Sequence, residues 1–160
     1  MPVFRTSRRV RHAPQAMFDL VADVEKYPAF VPLCLALKVR KRAVNAQGAE
    51  VLTADMEIGY RAIREKFTSR VTLDRAKSQI LVEYIDGPFS HMENRWTFVA
   101  DPADTQACTV EFFIDYAFKS RTFTLLMGSL FDTAFRKFAS AFEARADVVY
   151  GASRQGWQQG

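Results

Sequence analysis

Hydrophobic positions recur along this chain with two different periods. Through its middle they alternate with polar ones, the period of strands that bury one face. Leu35, Leu37 and Val39 alternate with Ala36, Lys38 and Arg40. Leu52, Ala54, Met56 and Ile58 alternate with Val51, Thr53, Asp55 and Glu57. Ile63, Glu65, Phe67, Ser69, Val71 and Leu73 alternate with Arg64, Lys66, Thr68, Arg70 and Thr72. Ile80, Val82 and Tyr84 form a further run, and Met92, Asn94, Trp96 and Phe98 another. Cys108, Val110, Phe112, Ile114, Tyr116 and Phe118 form the last and most hydrophobic. Turn residues separate the runs: Asn45 to Gly48, Gly59 to Arg61, Asp74 to Lys77, Asp86 to Phe89, and Asp101-Pro102.

From Ser120 to about Val149 the period lengthens. Phe131, Phe135, Phe138 and Phe142 are spaced by four, three and four, and Leu130, Ala134, Ala141 and Ala146 widen the same side. That is the stripe of an amphipathic helix, with Gly151 at its C-terminal cap. At 1.5 Å per residue, a helix of about 28 residues is about 42 Å long. Near the start, Val3 to about Arg11 reads as a strand. Pro14 opens a short helix with Met17, Leu20, Val21 and Val24 on one face, and Tyr27-Pro28 bends it.

The predicted order is strand, broken helix, six strands and one long helix. Short turns imply an antiparallel meander, and one-sided strands need a cover. The fold class is therefore α+β: a curved antiparallel seven-stranded sheet wrapped around the C-terminal helix. Residues 1–150 read as a single domain and 151–160 as a flexible tail. The concave face is filled by side chains or by a ligand.

Composition changes this picture little. The 160 residues suit one domain, and 49% hydrophobic content is ordinary, though 14 phenylalanines are many. The net charge of +4 favours anionic surfaces only weakly. Cys34 and Cys108 make neither a metal-ligand spacing nor a disulfide framework, so a reducing, cytoplasmic compartment is expected. The N-terminus lacks the apolar core of a secretory signal, and no window is long and apolar enough to span a membrane. Any membrane contact is peripheral, at the inner face.

No catalytic constellation is legible, and no covalently bound cofactor or metal site is expected. His12 and His91 have no nucleophile beside them, and their expected state is solvated or hydrogen-bonded. Asp55 and Glu57 share a polar face. Glu65 falls in phase with inward residues. It is either a polar anchor for a ligand or a carboxylate at a strand end or beside an arginine. Asn94 poses the same choice. Tyr84 and Tyr116 are candidate donors in an apolar wall. Arg5, Arg8, Arg9 and Arg11, with Lys38, Arg40, Lys41 and Arg42, are either solvated strand faces or a footprint for anionic lipid or RNA.

Four segments together resemble the coenzyme Q-binding protein family of the START-like, polyketide-cyclase-like superfamily. They are Met17 to Pro32, Asp86-Gly87-Pro88-Phe89, Glu93-Asn94-Arg95-Trp96, and the Phe-rich stretch from Phe112 to Phe142. The resemblance spans roughly residues 3–150 and implies a helix-grip (START/Bet v 1-like) fold. It further implies ubiquinone or a related isoprenoid lipid in a cavity between sheet and helix, and a role as quinone carrier or chaperone supporting respiratory electron transport. The cavity residues expected on this view are Glu65, Phe67, Tyr84, Asn94, Trp96, Phe112, Tyr116, Phe131 and Phe135. Tyr27, Pro28, Phe30, Val31 and Pro32 would form one lip of a membrane-facing portal, and Leu125 and Leu126 the other. The same bacterial family includes ribosome-association toxins that block subunit joining, and the superfamily includes cyclases and aromatases. A ribosome or RNA contact is therefore the alternative partner. A cyclase would have Glu65 as its only candidate acid or base.

Overall fold

The structure, a computed structural model, describes residues 3–151. The tail beyond Gly151 lies outside the described residues. Seven strands form one antiparallel sheet: β1 (Val3–Val10), β2 (Cys34–Val44), β3 (Glu50–Tyr60), β4 (Ile63–Asp74), β5 (Gln79–Asp86), β6 (Phe89–Ala100) and β7 (Cys108–Phe118). Their order across the sheet is β1-β7-β6-β5-β4-β3-β2. Strands β2 to β7 are the expected meander. The first strand crosses over to pair with the last, Val10 opposite Cys108 and Phe4 opposite Ile114.

Between β1 and β2 lies α1 (Pro14–Ala22), with Pro14 in its first turn where a missing N–H costs nothing. A 3₁₀ helix, Val24–Ala29, follows and contains Pro28. The Tyr27 hydroxyl ties the two by donating to the Val21 carbonyl.

The terminal helix is not continuous. It divides into α2 (Arg121–Arg136) and α3 (Phe138–Ala146), and the chain then widens into a π turn over Asp147–Gly151. At Lys137 the backbone sits at φ −97°, ψ −4°, and its N–H reaches back three residues to the Ala134 carbonyl at 3.0 Å. The periodic stripe runs straight through this joint, so nothing in the pattern marked it.

The stripe still meets the sheet as a ladder of rings. Phe131 packs on Phe118 (centroids 5.4 Å apart), Phe135 on Tyr116 (4.8 Å) and Phe138 on Phe112 (5.9 Å). Each step along the helix thus meets an earlier residue of β7. Phe142, beyond the joint, turns to Trp96 of β6 and to Tyr27 and Phe30. The joint therefore falls inside the β7 ladder, between Phe135 of α2 and Phe138 of α3.

One register expectation needs correction. A bulge in β2 between Cys34 and Ala36 inserts a residue, so Cys34 and Leu37 face inward while Leu35 is 42% exposed. Among the described residues, no helix is long and apolar enough to cross a membrane.

Candidate functional site

The concave face of the sheet and the helices enclose a cavity of about 80 Å³, within a cleft of about 870 Å³ counting its open mouth. The sheet contributes Met56 and Ile58 of β3, Phe67, Ser69 and Val71 of β4, Val82 of β5, Asn94 and Trp96 of β6, and Ile114 of β7. The helices contribute Phe131, Ala134, Phe135, Phe138 and Phe142. Tyr27, Val31, Pro32 and Leu33 line the side beneath the 3₁₀ helix. Leu33 holds φ +66°, a left-handed conformation uncommon for a branched side chain. Its carbonyl accepts the Gly59 N–H at 3.1 Å, which anchors the turn into β2.

The closed cavity is small. An enclosed apolar void of about 150 Å³ holds one benzene. At about 80 Å³ this one admits a ring only if lining side chains or α2 shift.

Polar groups are few. Asn94 is buried, and its Nδ2–H donates to the Phe113 carbonyl at 2.9 Å while its Oδ1 accepts from Trp96 Nε1 at 2.9 Å. Ser69, 5% exposed, also faces the cavity. Tyr27 is the one tyrosine in the lining, and burial raises its phenol far above the ordinary value. Among the described residues, no carboxylate, histidine, lysine or arginine lines the cavity. Nor, among the described residues, do three or more His, Cys, Asp or Glu side chains gather in a group able to hold a metal ion.

The nine expected cavity residues divide. Phe67, Asn94, Trp96, Phe131 and Phe135 line the cavity. Glu65 does not: it is exposed near the start of β4, although Ile63 and Phe67, its neighbours in phase, pack against the core. Phe112 and Tyr116 face inward and are buried, but Phe138 and Phe135 sit on them and take up that surface. Burial pushes the Tyr116 phenol up to about 12. Tyr84 packs against Phe89 rather than on the cavity (centroids 5.6 Å apart). Its hydroxyl is buried and makes no well-formed hydrogen bond, though the Phe89 backbone lies close enough to offset part of the burial that raises its pKa.

The two lips also divide. Tyr27, Val31 and Pro32 line the cavity, Phe30 packs edge-on to Phe142 (4.9 Å), and Pro28 is exposed. Leu125 and Leu126 stand 86% and 64% exposed early in α2, with Lys119 and Arg121 nearby in the chain and Met127 turned inward.

Ser69, Leu37, Met56, Val82, Phe89, Met92 and Ile114 also line the cavity. Six of the seven lie on strands read from the sequence, where alternation was the available signal, while Phe89, expected in the turn, instead opens β6. Alternation does not say which inward residues a helix will cover and which it will leave facing a void.

Most of the arginines are tied to carboxylates. Arg40 grips Asp55 through two bonds of 2.6 and 2.7 Å, Arg42 reaches Glu25 and Glu50, Arg8 meets Glu143 and Arg9 meets Asp101. Both histidines pair with acids: buried His12 with Asp147 at 2.7 Å and His91 with Asp115 at 2.9 Å. The two cysteines are buried and free, and burial raises both thiols to about 11.

A curved antiparallel sheet that grips a helical segment over an apolar cavity defines the START-like class of lipid-binding folds. The chain belongs to the family described as polyketide cyclase / dehydrase and lipid transport, whose profile matches residues 10–143. It is 30% identical over 152 residues to ribosome association toxin RatA of Escherichia coli K12, covering 95% of this chain and 91% of that protein. It is 31% identical over 141 residues to the mitochondrial coenzyme Q-binding protein COQ10 homolog B of Xenopus laevis, covering 86% of this chain and 54% of that protein. An 18 kDa Caulobacter crescentus protein superposes with TM-score 0.74 at 32% identity, covering 95% of this chain and all of that one. A Streptomyces aromatase/cyclase superposes with TM-score 0.75 at 15% identity, covering 95% and 97% of the two chains, which is a likeness of fold.

Proposed function

We propose that this protein binds a prenylated quinone or a closely related isoprenoid lipid in the cavity and carries it to or from a membrane. The observation that carries this reading is the cavity wall: apolar side chains relieved only by Ser69, Asn94 and the tied-back Tyr27. Such a wall suits an apolar molecule with few polar atoms. It offers no acid or base for cyclase chemistry, and Glu65, the one candidate, points to water. Exposed Leu125 and Leu126 beside Lys119 and Arg121 suit transient contact with an anionic membrane surface. The test is organic extraction of protein purified from its native host, followed by mass spectrometry. A near-stoichiometric prenylated quinone is expected. Phospholipid instead would change the ligand within the same class. An empty extract from protein that also refuses added quinone would overturn the reading.

A second reading rests on the likeness to RatA, which extends over nearly the whole of both chains. It makes this protein a ribosome-binding one, docked through basic side chains. The pairing of Arg8, Arg9, Arg40 and Arg42 with carboxylates removes much of the charge it would need. Co-sedimentation with ribosomal subunits that falls steeply with salt would establish it, and none at low salt would remove it.

A further inference from the structure

Antiparallel pairing brings three connections to one end of the sheet: the β3–β4 turn over residues 60–63, the β5–β6 turn over residues 86–89, and the passage from β7 into α2. The Lys119 N–H donates to the Pro88 carbonyl at 2.8 Å and ties the last two together. The Gly59 N–H, bonded to the Leu33 carbonyl, ties the first to the start of β2. This rim carries three departures from regular strand, and each presents a side chain to solvent. The bulge of β2 turns out Leu35. A second bulge, between the Thr68–Asp86 and Ser69–Tyr84 pairs, leaves Ile85 outside the ladder and 45% exposed. Arg61, at the β3–β4 tip, holds φ +59°, a left-handed conformation that favours glycine. Its guanidinium lies over the Tyr60 ring, 5.0 Å from the centroid, and Tyr60 is 44% exposed.

Charge separates this end from the other. Arg61, Lys66, Lys119 and Arg121 are exposed here, and among the described residues none is paired with a carboxylate. Glu57 and Asp115 are taken up by Arg64 and His91, which leaves Glu65 and Asp86 against those four cations. Val44, Val99 and Val148 are exposed at the other end, but the acids beside them are held in pairs: Glu50 with Arg42, Asp101 with Arg9, and Asp147 with His12. An anionic surface therefore attracts the first end more than the second. Nucleic acid is met by stacked aromatic rings and cations, whereas exposed Leu35, Ile85, Leu125 and Leu126 call for an apolar phase.

We infer that this rim seats on a bilayer carrying anionic lipid, with the β3–β4 tip, Tyr60 and Arg61, as a second contact beside Leu125 and Leu126 of α2. The lip expected at residues 27–32 is largely occupied elsewhere, since Tyr27, Val31 and Pro32 line the cavity and Phe30 packs on Phe142. The hairpin takes its place. Tyr60 suits head-group depth, where a ring meets the apolar boundary and its hydroxyl meets water. The inference rests on the lipid-carrier reading above and names the surface that faces the membrane.

The test uses the full chain and two kinds of vesicle, phosphatidylcholine alone and phosphatidylcholine mixed with phosphatidylglycerol. Arg61→Gly suits the left-handed backbone and removes the charge. It is expected to weaken binding to the anionic vesicles about fivefold, the scale of one basic side chain at such a surface. Val44→Ser, an exposed change at the other end, should leave binding within about twofold. Arg61→Cys labelled with an environment-sensitive dye should shift to the blue on anionic vesicles, and labelled Val44→Cys should not; both native cysteines are buried. If the wild type binds these vesicles and Arg61→Gly changes nothing, or the Arg61→Cys label does not shift, the hairpin contact is overturned. An equal loss from Val44→Ser would overturn it too, because binding would then have no preferred end. Binding to ribosomal subunits in place of vesicles, weakened by Arg61→Gly, would assign the rim to nucleic acid and reject the bilayer. The ligand is read separately. Protein that seats as expected but takes up no decylubiquinone keeps the rim and loses the quinone, and protein that takes up quinone but binds neither vesicle loses the rim alone.

Discussion

Phe142 stands edge-on to Trp96, with ring centroids 4.8 Å apart and planes at 69°. The same phenyl ring meets Tyr27 at 5.2 Å and Phe30 at 4.9 Å, so one side chain of α3 joins the sheet to the 3₁₀ helix. Phe142 is 1% exposed. Phe142→Ala is expected to cost about 3–5 kcal/mol, as large core truncations do. Denaturant unfolding followed by circular dichroism measures it. A loss below 1 kcal/mol would mean that α3 does not clamp the two layers.

Gly87, in the Asp86-Gly87-Pro88-Phe89 turn, adopts φ +143°. A Cβ there would stand 2.5 Å from Phe67 Cβ and 2.9 Å from the Lys66 carbonyl. Both the conformation and the space exclude a side chain. Gly87→Ala should destabilise the protein by about 2–4 kcal/mol, combining backbone strain with overpacking. Thermal unfolding reads this directly.

Gly128 is the opposite case. It lies inside α2, and a Cβ would meet only Thr124 Cγ2, at 3.6 Å. Gly128→Ala removes a weak helix former at no steric cost and should add up to about 1 kcal/mol. The melting temperature should rise by about 2–4 °C for a domain of this size. An unchanged or lower value would show that this turn of α2 is strained in a way its contacts do not reveal.

Leu126 is 64% exposed, while Phe30 packs on Tyr27 and Phe142. A charge at Leu126 therefore probes membrane contact without disturbing the core, and a charge at Phe30 would not. Leu126→Glu should lower co-sedimentation with anionic liposomes several-fold and leave the melting temperature within 1–2 °C, roughly the scale of a neutral surface change. Unaltered liposome binding would remove α2 from the membrane-facing portal.

Asp55 accepts hydrogen bonds from Arg40 and from Thr68, and these hold its carboxyl down at about 2, below its usual 3.8. A depressed folded pKa adds stability that is complete above the unfolded value and is lost as pH falls through the folded one. The contribution should therefore vanish between about pH 4 and pH 2. The Asp55 side chain is 34% exposed and that of Arg40 53%. Solvent screening therefore limits the contribution to about 1 kcal/mol. Stability of Asp55→Asn measured against pH should lack that part of the acid slope. An identical slope would mean that the pair contributes nothing.

The alternation of residues in β3, β4, β6 and β7, and the spacing of the four phenylalanines, determined the strands, the terminal helical stripe and the face that each buries. A period of two or of 3.6 states which side of an element is apolar, and in this chain that was enough to imply a sheet with a helical cover. Three things depended on contacts that no local period carries. One is the pairing of Val10 with Cys108, which sets β1 beside β7 and not beside β2. Another is the joint at Lys137, where the helix divides although the stripe of phenylalanines runs through it unbroken. The last is the cavity wall itself. Glu65, Phe67, Tyr116 and Asn94 share the inward phase, yet Glu65 meets water, Tyr116 meets Phe135, and Phe67 and Asn94 meet the void. Phase is local, but which inward positions are covered and which rings leave a gap beneath the cover are settled only when sheet and helices pack together.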